Sequence, residues 1–197
     1  MSFSIFGINI KISFLFIGFI TLMIFSDRTG LILPLILAAT VHELAHLVAM
    51  KILEVAPKEI ILAPGNIHII KPECTSLKKD TVILLAGPIS NLFLFMVFYV
   101  FFSFFKNEIL LQHAVVELVV AMFNLLPARG LDGGSLLLNG LLRIFSPTCA
   151  CIIQKIISFC VGICFLVLSV FAIIKGNINI SFLILGMYII IFTIIKN

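Results

Sequence analysis

Residues 42 to 46 read His-Glu-Leu-Ala-His, inside the stretch AATVHELAHLVAM, which is otherwise almost wholly apolar. On a helix, His42 and His46 are four positions apart, so they project from one face and can grip a single metal ion. Glu43 stands one step round the helix. Zinc held by neutral imidazoles lowers the pKa of a coordinated water towards 7, and a glutamate beside that water can take its proton as it attacks a carbonyl. This is the chemistry of a hydrolase. Histidines that merely hydrogen-bond across a helix bundle would leave the same letters in the sequence. With four histidines and six glutamates in 197 residues, however, a chance HExxH arises only on the order of two times in a thousand.

A catalytic zinc needs a third protein ligand while keeping one position open for water. Asp132 is the candidate, in the stretch FNLLPARGLDGGSLLLNGL. There Pro127 should end a helix, Gly130 and the Gly133-Gly134 pair permit a tight non-helical turn, and an apolar stretch then resumes. Broken backbone at membrane depth is tolerated where it lines a polar cavity. An aspartate in this setting also caps the helix that follows, and Asp132 can both cap and coordinate. Glu117 and His113, four apart in one apolar segment, are expected to pair with each other rather than to join the zinc. His68 reads as an interfacial side chain.

The elements that must position these groups are membrane helices. Of the 197 residues, 62% are hydrophobic and 11% charged, and the mean hydropathy is +1.29, a balance that excludes an ordinary soluble domain. The length suits one compact bundle, here read as a single domain over residues 1–197. A hydrocarbon core of about 30 Å takes about 20 apolar residues per helix, which divides the chain into six spans: Ile12–Phe25, Gly30–Met50, Thr81–Phe105, Ile109–Pro127, Cys151–Ile174 and Ile178–Ile195. The expected fold is therefore an all-α polytopic membrane protein with a short membrane-associated β element. That element comes from two places. Ile8, Ile10 and Ile12 alternate with Asn9, Lys11 and Ser13, the period of a half-buried strand, and KEIILAPGNIHIIKPE reads as a hairpin turning at Pro-Gly.

Ten of the 13 lysines and arginines fall on one membrane face if both termini are cytoplasmic, and that face lies nearer His42 and His46. The net charge of +4 then orients helices, and no basic stretch with interleaved aromatics suggests nucleic acid. Five cysteines without a CxxC pair read as reduced, packed thiols.

HELAH within a membrane helix, followed some ninety residues later by NLLPARGLDGG, resembles the site-2 protease family of intramembrane zinc metalloproteases. LAGPISN, with Gly87, Pro88 and Asn91, resembles that family's third-helix segment. The compact six-span bacterial branch, which includes the stage IV sporulation protease, is the most similar. The resemblance covers roughly Ile5 to Leu142. It implies one Zn²⁺ on His42, His46 and Asp132, Glu43 as proton carrier, and Asn124 as a donor to the substrate carbonyl or developing oxyanion. It also implies a bacterial cell membrane, a membrane-associated protein substrate such as a transcription-factor precursor, and membrane partners that restrain the enzyme. Many members of this branch carry a cytoplasmic regulatory domain of the cystathionine-β-synthase type, which is not expected here. The competing reading is a non-catalytic membrane zinc-binding or transport protein. A transporter would show paired broken helices in two related halves, whereas the polar cluster here falls on two spans and retains a base.

Overall fold

The computed structural model describes residues 2–5, 8–57, 59–63, 66–70, 75–175 and 180–195. Among them are seven helices and a four-stranded sheet. The chain divides into two compact units, Met1–Met122 and Phe123–Asn197.

The first unit opens with strands β1 (Ser2–Ile5) and β2 (Ile8–Ile12), continues through helices α1 (Phe14–Ser26) and α2 (Ile32–Ile52), and then forms β3 (Glu59–Ala63) and β4 (Asn66–Ile70). The sheet runs in the order β1-β2-β3-β4. β1 with β2 and β3 with β4 are antiparallel hairpins, whereas β2 pairs with β3 in parallel, Ile10 facing Ile60. Parallel neighbours need a crossover, and α1 and α2 supply it by carrying the chain away and back between the two strands. The sheet is larger than the short element expected, because β1 joins it as well. Pro64 and Gly65, the expected turn, lie outside the described residues, as does Cys74.

The start of α2 is held by Asp27, whose carboxylate accepts from the amides of Thr29, Gly30 and Ile32 at 2.8, 3.0 and 3.0 Å. The Ile32 amide, then that of Thr29, hold the Asp27 carboxyl below its ordinary range. Along α2 the buried residues are Pro34, Ala38, His42, His46 and Met50, a stripe with a repeat of four in which the two histidines replace core side chains. α3 (Leu77–Phe105) packs against α2. Its start is capped by Ser76, and the Lys79 ammonium donates to the Leu53 carbonyl at the end of α2, 2.8 Å away. α4 (Glu108–Asn124) buries Ala114, Glu117, Val120 and Ala121.

In the second unit a loop from Leu125 leads from the end of α4 into α5 (Asp132–Leu141), followed by α6 (Pro147–Ile174) and α7 (Ile180–Ile195), which pack on each other. Ala128, Leu131 and Ile189 form the core of this unit. The cysteines expected to be packed are instead exposed on α6 at Cys149, Cys151, Cys160 and Cys164. On a helix surrounded by lipid an outward thiol loses little, so burial is no guide to it.

Among the described residues three helices, α2, α3 and α6, are long and apolar enough to cross a membrane. α1, α4 and α7, with 13, 17 and 16 residues, are shorter than the spans drawn from the sequence. α5 is a helix that no span included.

Candidate metal centre

His42 and His46 are 3% and 7% exposed. Their rings stand edge to face, with centroids 4.8 Å apart and planes at 84°. The Nε2 atoms face each other across 3.2 Å. Each ring is held from behind by its other nitrogen. His42 Nδ1 lies 2.6 Å from Asn91 Oδ1, and His46 Nδ1 lies 2.7 Å from the carbonyl oxygen of Ile83.

These partners decide the tautomers. A carbonyl oxygen can only accept, so His46 carries its proton on Nδ1. Asn91 presents its oxygen to His42 because its Nδ2 donates to two acceptors, the Ala38 carbonyl at 3.1 Å and Glu117 Oε2 at 2.5 Å. His42 therefore also carries its proton on Nδ1. Each Nε2 is then the ring nitrogen with a lone pair to offer, and the two stand close enough to share one cation. Two imidazole nitrogens on a tetrahedral zinc, each 2.0–2.1 Å from the metal, sit about 3.3 Å apart. The observed separation fits that group.

Gly87 leaves the space. A Cβ at this position would lie 2.5 Å from His46 Nε2 and 2.7 Å from His42 Nε2. The backbone of α3 thus approaches the Nε2 side of the histidine pair at a residue without a side chain. Glycine, Pro88 and Asn91 recur at the third-helix positions singled out in the sequence, but their letters did not disclose this role. The signal was present in the spacing: Ile83, Gly87 and Asn91 are each four apart, the same repeat that brings Ala38, His42 and His46 to one face of α2.

Glu43, half-buried, follows His42 by about 100° round α2. Glu117 does not take His113 as its hydrogen-bond partner as expected. Its carboxylate, 3% exposed, receives Asn91, while the His113 ring stacks on Phe98 at 5.1 Å. His68 has its backbone in β4 opposite Ile61.

Asp132 and Asn124 belong to the second unit. Asn124 closes α4. Asp132 is the first residue of α5, with Leu131 at the cap position in extended conformation, so its carboxylate lies at the helix end that favours negative charge. Gly130 makes the turn before it, at φ +94°. The Gly133-Gly134 pair, expected to turn as well, instead lies inside α5. A Cβ on Gly133 would come 2.1 Å from the Leu125 carbonyl oxygen, and one on Gly134 would come 2.1 Å from that of Ala128. The loop folds back on the helix it starts, and only hydrogen fits between them. α6 fastens the loop. The Arg129 amide donates to Ser158 Oγ at 2.9 Å, Arg129 Nε to Gln154 Oε1 at 3.2 Å, and Gln154 Nε2 to the Gly134 carbonyl at 2.7 Å.

No protein-family model and no curated protein sequence matches the chain. Among solved structures it is similar to the site-2 protease from Methanocaldococcus jannaschii, with a TM-score of 0.72 and 22% identity over 98% of this chain and 94% of that one. At that identity the likeness carries the fold: this chain has the fold of a site-2 protease.

Proposed function

We propose that the chain is an intramembrane zinc metalloendopeptidase that cleaves a peptide bond, in or near the bilayer, of a membrane-associated protein. The observation that supports this most is the histidine pair, with both Nδ1 atoms committed to acceptors and the two Nε2 atoms 3.2 Å apart. His42 and His46 hold the zinc, with Asp132 as third ligand. When bound, the metal supplies Lewis acidity that polarises a carbonyl and makes water acidic near neutral pH. Glu43 takes the proton of the attacking water and returns it to the leaving amine nitrogen. Asn124 donates a hydrogen bond to the carbonyl oxygen as charge builds there.

A substrate helix hides its carbonyls in its own hydrogen bonds, so it must unwind before cleavage. β1 and β4, the outer strands of the sheet, are edges on which an extended segment can pair. The substrate class favoured by the sequence resemblance is a membrane-tethered transcription-factor precursor, and within the sporulating bacterial branch a sigma-factor precursor.

Purified protein is expected to hold about one zinc per chain, measured by elemental analysis. Near-zero content under metal-replete conditions, or full content in a His42→Ala, His46→Ala double variant, would sink the assignment. For topology, six spans with both termini cytoplasmic place reporter fusions after Lys79 and after Asn197 in the cytoplasm, and one at Asn107 on the far side. A far-side signal at Asn197 would mean an odd number of crossings.

A further inference from the structure

The Asn91 side chain is wholly buried between α2, α3 and α4, and every polar atom of its amide has a partner. Oδ1 faces His42 Nδ1, while Nδ2 gives one hydrogen to the Ala38 carbonyl and the other to Glu117 Oε2. An amide has nearly the same shape either way round, so packing alone does not choose between its two orientations. The choice is made by what stands behind Nδ2. Both groups there are acceptors, and the side chain among them is Glu117, a carboxyl 3% exposed that shares the buried face of α4 with Ala114, Val120 and Ala121. Burying a carboxyl in such a place is costly unless its position is used.

We infer that Glu117 is a positioning residue for the metal centre: through Asn91 it fixes the hydrogen-bond polarity that leaves His42 Nε2 unprotonated and turned towards His46. The chain of donors and acceptors runs one way. Glu117 accepts from Asn91, Asn91 accepts from His42 Nδ1, and the lone pair of His42 is thereby placed on Nε2. With a glutamine at 117 only the Ala38 carbonyl still demands Nδ2, and the direction is enforced less strongly, because the new amide can donate as well as accept. Asn91 can then reverse and present Nδ2 to His42 Nδ1, which moves the ring proton to Nε2, where it blocks ligation. Outer partners of metal-bound histidines act in this way on ligand orientation and basicity. This inference rests on the zinc assignment above, but concerns a residue outside the ligand set.

The test is a double-variant cycle in zinc affinity, read by competition with a chelating dye on the full chain in detergent. Glu117→Gln keeps the size of the side chain and is expected to weaken zinc binding about tenfold or more. It should also change the visible absorption of the cobalt-loaded protein, which reports the ligand field of the metal. In an Asn91→Ala background, where the relay is already cut, Glu117→Gln should change the affinity by less than about twofold, the non-additivity expected of groups acting in series. Glu117→Gln with wild-type affinity and cobalt spectrum would overturn the inference, as would equal losses with and without Asn91. Absence of zinc from the wild type would instead remove the metal assignment itself, so the two failures are distinguishable.

Discussion

Glu43→Gln should abolish cleavage of a membrane substrate while leaving zinc nearly at one per chain. The amide preserves the size of the side chain and much of its hydrogen bonding, but cannot accept the proton of the attacking water. Proton transfer by a positioned side chain contributes roughly 100- to 10,000-fold, and the loss in turnover should fall in that range. Asp132→Asn is the contrast. A neutral amide is a poorer zinc ligand than a carboxylate, so this variant should lose metal along with activity. Parallel measurement of zinc content and cleavage in the two variants separates the roles. Wild-type cleavage by Glu43→Gln would remove Glu43 as the base. Loss of zinc as complete as in Asp132→Asn would make it a ligand or a support instead.

Gly87→Ala should empty the centre without touching a ligand. Its Cβ would stand 2.5 Å from His46 Nε2 and 2.7 Å from His42 Nε2, against the two ring nitrogens assigned to the metal. Neither ring can retreat easily, because Asn91 and the Ile83 carbonyl hold each from behind at 2.6 and 2.7 Å. Alanine is also a better helix former than glycine, so α3 itself should persist. The expected result is zinc affinity reduced by more than about 100-fold, beyond the usual effect of outer-shell changes, with helical content by circular dichroism unchanged. Retention of zinc at wild-type affinity would show that the rings have freedom the geometry denies them. Serine at this position should behave like alanine, since the obstruction is the Cβ.

A histidine pair four apart on a helix needs nothing but the helix to bring its rings to one face, so the facing of His42 and His46 was legible from spacing alone. The apolar stretches were legible too, because a bilayer demands length and hydrophobicity in the sequence itself. The alternation of Ile8, Ile10 and Ile12 likewise coincides with β2. What local pattern could not carry was anything decided by which elements meet. Glu117 and His113 have the spacing of a pair, yet Glu117 hydrogen-bonds to Asn91, 26 residues away, because α3 presents that amide to the buried stripe of α4. The parallel match of β2 to β3 is set by the path of two intervening helices, and no letter in either strand encodes it. Gly87 and the Gly133-Gly134 pair are plain glycines in the sequence. Only the approach of the histidines to one, and of a returning loop to the others, turns the missing Cβ into a requirement. The facing of the two imidazoles follows from sequence because helix geometry is local. The tautomer of His42 and the room beside it follow from tertiary packing, because they depend on Gly87, Asn91 and Glu117, which the chain brings from 45 to 75 residues away.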